Sequence, residues 1–482
     1  MLLGGCFCIF LHEHKTPMNA FEQYRYIYFL GIGGIGMSAL ARWFLGNGFV
    51  VGGYDREPSA LTEKLTRQGA AIHYHDDPAL IPAAFLANPV RTLVIMTPAI
   101  SEDHREKHFF IDKGVVVKKR AAVLGALTAG FTTLAVAGTH GKTTTSSLLT
   151  HMLQTGGKDL TAFVGGVMSN YDSNFILNQS SGEKTLAVVE ADEFDRSFLH
   201  LHPQHTILTT AEADHLDIYE SEEAVFDAFR AFLDRREGLL LAGPTVPDSL
   251  LEGQADLVRY GEGTSYTFQN IQRRGKNLTF DWKLGDCFLP EVNLVLPGKH
   301  NLENATAAAA LALEMGVEPA ALRLAMRTYR GVQRRFEFIL RKDDAILIDD
   351  YAHHPTEVHS VLAAVRALYP QRHITAIFQP HLYSRTRDFA SGFAESLSLA
   401  DAVVLLDIYP ARELPVSGVD SGLIFANLKN QHKAWLNDTE FIPYLYEKPY
   451  EHEVVVTLGA GPIYKWLPEI KKCLLTKATQ NE

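Results

Sequence analysis

Cysteine is scarce in this chain. It has four among 482 residues, Cys6, Cys8, Cys287 and Cys473. None has metal-ligand spacing, and four are too few for a disulfide scaffold. A reducing compartment, the cytoplasm, is therefore the expectation. Long apolar runs are also missing: none approaches the roughly 18–20 residues of a membrane span. Positive charge is short, with 45 Lys and Arg against 56 Asp and Glu and a net charge of −11. That balance argues against nucleic acid as the main partner, because such binding needs clustered basic residues. It leaves room for a local basic pocket around a nucleotide. Internal repeats and low-complexity segments are absent too.

What is present is an ordinary globular composition, 46% apolar and 21% charged, enough for a sizeable core. The length predicts about two to four domains. Residues 1–18 stand apart. They carry a short apolar run but neither the basic start nor the cleavage site of a signal peptide. Leu3-Gly4-Gly5-Cys6 has the look of a lipidation box without a charged segment before it. The expectation is a disordered extension, or a true start at Met18.

The chain is organised around Leu134–Leu149, LAVAGTHGKTTTSSLL. An apolar, β-branched run at Thr132–Ala137 reads as a buried strand. It breaks at Gly138-Thr139-His140-Gly141-Lys142-Thr143 and resumes as a helix to about Gln154. Strand, glycine loop, Lys-Thr and helix make a phosphate-binding loop. The glycines let backbone N–H groups close around phosphate oxygens, and the helix start adds partial positive charge. Lys142 is placed for the outer phosphates and the Thr143 hydroxyl for Mg²⁺. The full pattern has a glycine where Val136 stands, so GTHGKTTT is a short variant of the loop.

Upstream, the strand Tyr26–Leu30 runs into Gly31-Ile-Gly33-Gly34-Ile-Gly36 and a helix from Met37. A second strand, Phe49–Tyr54, ends at Asp55. This is a GxGxxG turn in its proper setting, suited to a nucleotide diphosphate. Asp55 is either a ribose or uracil contact or a plain turn residue. Strands at Thr92–Met96 and Val115–Val117 alternate with helices, which implies a parallel, doubly wound sheet.

Downstream, the strand Leu186–Val189 ends in Glu190-Ala-Asp192-Glu193-Phe-Asp195. Acids at a strand's carboxyl end, beside a phosphate loop, are where Mg²⁺ is expected. The strand His205–Thr209 leads to Asp214-His215-Leu216-Asp217, where His215 is either a metal ligand or a polar loop residue. Arg259–Val295 reads as an antiparallel flap. Asn301 and Asn304 are expected to share the exposed side of an Ala-rich helix start, as readers of a base edge or, for Asn301, as an N-cap. A third alternation of strand and helix runs from Phe336. Its polar residues gather after the strand ends, at Asp350-Tyr351-Ala-His353-His354 and Gln379-Pro-His381-Leu-Tyr383-Ser-Arg385.

Two phosphate-type loops in separate units suggest that one nucleotide is fuel and the other a handle on a substrate. In this order GIGGIGMSALA, GTHGKTTT, EADEFD, DHLD, GKHNLEN, GVQRRF, DDYAHHPT and QPHLYSRTR resemble the Mur ligases of peptidoglycan synthesis, from about Ile27 to Lys465. The resemblance implies an α/β fold of three domains. An N-terminal Rossmann-like domain (19–129) takes a UDP sugar, a central P-loop ATPase-type domain (130–332) takes ATP, and a C-terminal Rossmann-like domain (333–482) takes the amino acid. It implies a cytoplasmic, ATP- and Mg²⁺-dependent ligase. The N-terminal glycine loop, DDYAHHPT and QPHLYSRTR point to the member joining L-alanine to the lactyl carboxylate of UDP-N-acetylmuramate. The alternative is the recycling member that adds a tripeptide. A nicotinamide oxidoreductase leaves Lys142, Glu190 and the third domain unexplained. A non-catalytic binder of the precursor leaves the intact Lys142, Glu190 and His215 unexplained.

The resemblance also implies roles. Gly138, Thr139, His140, Gly141, Lys142, Thr143 and Thr144 hold phosphates. Thr143, Glu190 and His215 hold Mg²⁺. Asn301 and Asn304 contact adenine, Arg335 the γ-phosphate and Asp350 the ATP ribose. Tyr351, His353, His381 and Arg385 line the alanine site. Gly31, Gly33, Gly34, Gly36, Met37, Ser38 and Asp55 serve the UDP sugar. Lys142, Glu190, His215, His353 and Arg385 carry the catalysis. For His353 orientation of the substrate is the expectation, because an α-amino group with a pKa of roughly 8 needs no dedicated base. The family pattern has a basic residue at Leu382 and an Asp or Asn at Pro462, and this chain departs from it at both.

Overall fold

The computed structural model describes residues 18–178, 185–212, Tyr219, 221–274, 277–411, 413–447 and 454–478. Cys6, Cys8, Asp214, His215 and Asp217 lie outside the described residues. The chain divides into two compact units. One holds the described residues of Met1–Lys142, Gly157–Gly165 and Asn174–Val258; the other holds those of Thr143–Gly156, Gly166–Ser173 and Arg259–Glu482.

The first sheet has five parallel strands in the spatial order Ala71–His73, Val50–Tyr54, Tyr26–Leu30, Thr92–Met96 and Val116–Lys119. Crossovers run outward to one side from Tyr26–Leu30 and then to the other. The carboxyl ends of Tyr26–Leu30 and Thr92–Met96 therefore flank the switch point, where α/β sheets open a ligand crevice. Gly31–Gly36 is built there. Gly31 has φ +86°, and a Cβ on it would stand 2.6 Å from Thr97 Cγ2.

The seven-stranded sheet has Thr132–Ala137 between Leu186–Glu190 and His205–Leu208, parallel to both. Leu134 to Ala137 are fully buried. A strand covered on both faces has no reason to alternate, which is why this stretch is continuously apolar. The strand Leu160–Met168 was not expected. It carries Gly165 and Gly166, which weaken a strand signal but mark close approach. A Cβ at Gly165 would lie 2.5 Å from the Glu190 carboxylate, and one at Gly166 2.6 Å from Val332 Cγ1.

In the second unit the expected flap is an antiparallel sheet of Tyr266–Arg274, Asn277–Leu284 and Cys287–Leu294. Its Trp282 donates to Thr306 Oγ1 at 3.0 Å, on the Ala-rich helix Lys299–Glu314. The start of that helix corrects an expectation. Asn301 and Asn304 are buried, 5% and 6% exposed, not solvent-facing. Gly298, at φ +97°, is the N-cap, and Asn301 Nδ2 donates back to the Pro297 carbonyl at 2.6 Å.

The C-terminal sheet runs Glu337–Arg341, Ile346–Asp350, Val454–Leu458, Ile374–Phe378, Ala402–Leu406 and His432–Leu436. Its first pair is antiparallel and the rest parallel. Ile346–Asp350, Val454–Leu458 and Ile374–Phe378 are buried throughout, so their carboxyl ends hold Asp350, Gly459 and Gln379 in place.

Candidate active site

The glycine loop joins the strand Thr132–Ala137 to the helix Lys142–Thr155. Gly138 has φ +126° and Gly141 φ +82°, and a Cβ at Gly138 would collide with Thr209 Oγ1. Thr210 braces the loop: its hydroxyl accepts from His140 N at 2.9 Å and shares a 2.8 Å hydrogen bond with Thr139 Oγ1. Lys142 curls back over its own loop. Its Nζ donates to the Gly138 carbonyl at 2.6 Å and meets both oxygens of Glu193 at 2.8 and 2.9 Å. Burial works against the Lys142 charge, but Glu193, with Asp192 and Glu190 behind it, outweighs burial and holds the ammonium protonated. The sequence marked Glu193 as one acid of a cluster, not as this partner.

Glu190 ends its strand with Oε2 accepting from Gly165 N at 2.9 Å. Gly165 is glycine because this carboxylate occupies the space of its side chain. Thr143 is buried at the helix start. A Glu carboxylate and a Thr hydroxyl are each hard oxygen donors of the kind that Mg²⁺ takes alongside water and phosphate. Among the described residues no group of three His, Cys, Asp or Glu side chains is arranged around a common point.

At the N-terminal turn, Asp55 closes the glycine loop from inside. Its Oδ2 accepts from Gly33 N at 2.6 Å and its Oδ1 from Arg56 N at 2.8 Å. Met37 is buried. Ser38 spends its hydroxyl on the Ile35 carbonyl and on Asn174 Nδ2, and its amide on the Gly34 carbonyl.

The third cluster follows the C-terminal strand ends. Asp350 is a clamp: Oδ2 accepts from Phe336 N and Oδ1 from Ala352 N, both at 2.7 Å. Burial pushes its pKa up to about 6 while Arg335 pulls it down. The clamp fixes a turn in which Arg334 and Phe336 have φ of +60° and +48°, values unusual outside glycine. Arg335 lies 5.2 Å from the Tyr351 ring centre. Arg334, which the sequence did not single out, sits between the Tyr351 and Tyr464 rings at 4.9 and 4.8 Å and bonds Asp349 Oδ2 and the Gly459 carbonyl.

His353 is 3.1 Å from the Tyr351 carbonyl and 3.2 Å from Glu357 Oε2, both through Nδ1. Carbonyl and carboxylate oxygens accept, so Nδ1 carries the hydrogen and Nε2 the lone pair. Burial drives its pKa down to about 4; Glu357 opposes this, and Arg385 and Arg335 reinforce it. The His381 ring stands edge-on to it at 5.9 Å. Arg385 is buried in the helix Tyr383–Leu397. Leu382 is buried at the N-cap of that helix with φ +70°, a framework position. Pro462 opens the last short helix, Pro462–Trp466. Gln379 Oε1 accepts from Ile463 N at 3.1 Å, capping the last short helix from a distance.

A phosphate loop on a central strand, a dinucleotide-type turn before it and a His–Arg cluster after it define an α/β nucleotide-dependent enzyme of the phosphate-loop class. Three family models match in succession: the Mur ligase family catalytic domain at 26–132, the Mur ligase middle domain at 136–312 and the Mur ligase glutamate ligase domain at 334–461. The UDP-N-acetylmuramate–L-alanine ligase of Flavobacterium psychrophilum is 46% identical over 460 residues, covering 94% of this chain and 98% of the relative. That of Parabacteroides distasonis is 47% identical over 93% and 97%. The solved UDP-N-acetylmuramate–alanine ligase of Thermotoga maritima superposes with a TM-score of 0.78 at 28% identity, over 94% and 99%. A murein peptide ligase of Psychrobacter arcticus, at 22% identity and a TM-score of 0.68 over 93% and 98%, shares the fold. The chain belongs to the Mur ligase family.

Proposed function

We infer that this chain is an ATP-dependent carboxylate–amine ligase joining L-alanine to the lactyl carboxylate of UDP-N-acetylmuramate, giving ADP and phosphate, in peptidoglycan precursor synthesis. The observation that carries this over the tripeptide alternative is the extent of the likeness. Alanine ligases of two organisms align with nearly the whole chain at 46–47% identity, and among the solved structures the alanine ligase of Thermotoga maritima superposes at a TM-score of 0.78 and 28% identity, against 0.68 and 22% for the peptide ligase of Psychrobacter arcticus.

A carboxylate is a poor electrophile, so the reaction activates it. The γ-phosphoryl of ATP moves to a lactyl oxygen, giving an acyl phosphate and ADP. The alanine amine attacks the acyl carbon, a tetrahedral intermediate forms and inorganic phosphate leaves. The protein's share is positioning and charge stabilisation rather than covalent work. In this reading the loop amides of Gly138–Thr144 and the Lys142 ammonium take the phosphates. Lys142 then exchanges Glu193 for phosphate oxygens. Thr143, Glu190 and His215 would hold Mg²⁺, which would neutralise phosphate charge. Asn301 and Asn304 meet adenine, Arg335 the γ-phosphate and Asp350 the ribose side. Gly31–Gly36 with Asp55 seat the UDP sugar. Tyr351, His353, His381 and Arg385 receive alanine: Arg385 takes its carboxylate, and His353 orients its amine through Nε2. We assign 19–129 to the UDP sugar, 130–332 to ATP and 333–482 to the amino acid, and the enzyme to the cytoplasm. No helix among the described residues is long and apolar enough to cross a membrane. Phosphate release from ATP, with L-alanine or the tripeptide added in parallel, tests the reading.

A further inference from the structure

The glycine turn assigned to the diphosphate is less hospitable to an anion than its sequence implies. One of its amides, Gly33 N–H, already donates to Asp55 at 2.6 Å, and that bond places a carboxylate against the turn. A diphosphate seated there meets one donor fewer and one negative charge more than GxGxxG promises. Charge of the opposite sign has to come from elsewhere in the fold.

Arg120 is in the right place. It opens the helix Arg120–Thr128, directly after the strand Val116–Lys119, and its side chain lies against the first turn of the helix Ile35–Gly46. A Cβ at Gly36 would stand 3.0 Å from Arg120 Nη1, 3.3 Å from Cδ and 3.4 Å from Cζ. The third glycine of the fingerprint thus makes room for a guanidinium. A cation in a helix's first turn opposes the helix dipole, so intrahelical electrostatics do not explain it. Nor does a tight ion pair. The acid within 4 Å of it among the described residues is Asp192, at 3.9 Å, beyond hydrogen-bond reach, whereas the adjacent Lys119 pairs with Asp195 at 3.0 Å. Arg120 is also shielded, its side chain 18% exposed, so its charge is screened less than that of a surface arginine.

We propose that Arg120 is a diphosphate-binding residue of the UDP-sugar site, supplying from the side of Gly36 the charge and donors that Asp55 withdraws at Gly33. The guanidinium fork suits phosphate oxygens in a way that Lys does not match. This rests on the reading that the UDP sugar seats at Gly31–Gly36, and the test separates the two.

Calorimetric titrations with UDP and with uridine are run on wild type, Arg120→Gln, Arg120→Lys and Gly36→Ala, with a non-hydrolysable ATP analogue as the folding control. The expected result is tighter binding of UDP than of uridine by wild type. Arg120→Gln then weakens UDP about 10- to 100-fold and leaves uridine and the ATP analogue unchanged. Arg120→Lys recovers part of the loss, and Gly36→Ala, which crowds the guanidinium, weakens UDP selectively. Unchanged UDP affinity in Arg120→Gln, with wild type still preferring UDP, overturns the Arg120 assignment and leaves the site standing. Equal loss of UDP and uridine marks a structural role and overturns it as well. No preference for UDP in wild type overturns the site and the assignment together.

Discussion

His353 is an imidazole kept neutral by burial, with its Nδ1 hydrogen committed to the Tyr351 carbonyl and Glu357. With a pKa near 4, it does not change charge across the working range of a neutral-pH enzyme. The group that must lose a proton to attack is the alanine amine, which in the free amino acid is more basic than the roughly 8 of a peptide's terminal amine. His353→Gln should therefore lower kcat/KM for alanine about tenfold or more, while the pH profile keeps its rise near that of the free amine. A rise that disappears in the variant would make His353 the base. At this scale the sequence was informative where a residue's partner is local. The positive-φ glycines of the phosphate loop and the Lys142–Thr143 pair stand side by side in the chain. It was uninformative where partners meet through folding. Lys142 finds Glu193 51 positions on, and Arg334 finds the Gly459 carbonyl 125 positions on. No spacing rule reaches that far. The burial of Asn301 and Asn304 was missed for a related reason: an Asn in a helix's first turn reads as polar and outward unless the preceding turn is known.

Two elements of the site depend on single atoms. At the phosphate loop, Gly138→Ala combines an unfavourable φ with a collision at Thr209 Oγ1. Binding of an ATP analogue should fall at least about tenfold in this variant while UDP binding stays, because the strain is confined to the loop. At the C-terminal turn, Asp350→Ala leaves the Phe336 and Ala352 amides without their acceptor and removes the restraint on the left-handed residues Arg334 and Phe336. The expected loss is about 2–5 kcal/mol, read as a lower urea midpoint, with Asp350→Asn falling between it and wild type. Most elements were legible from apolar runs bounded by glycine, among them Tyr26–Leu30, Thr132–Ala137 and Ile374–Phe378. Leu160–Met168 was not. Its two glycines, placed there for the Glu190 carboxylate and for Val332, erase the pattern that marks a strand.

For the whole molecule, a buried polar cluster in the N-terminal sheet ties stability to pH. Glu106 is fully buried, its carboxylate accepts from the Tyr28 hydroxyl at 2.8 Å and from Asp77 N at 3.2 Å and stands 3.4 Å from His73 Nε2, and its amide donates to Asp76, which is itself 3.2 Å from His104. Burial pushes its pKa from the ordinary 4.5 up to about 7, against the pull of its hydrogen bonds. The folded chain thus holds this proton more tightly than the unfolded one. The stabilisation is complete below about pH 4.5 and is lost as pH rises through about 7. Glu106→Gln, neutral at every pH, should gain in Tm relative to wild type at pH 8 and not at pH 5. Equal differences at both would mean that Glu106 is charged in the fold throughout.

In the proposed reaction two nucleotide sites serve one ligation. Phosphate release from ATP should be measured with purified protein, Mg²⁺ and UDP-N-acetylmuramate, adding L-alanine or the tripeptide in parallel. Release should require both the UDP sugar and L-alanine. Release with the tripeptide alone, or steady release without the UDP sugar, would contradict the proposed reaction.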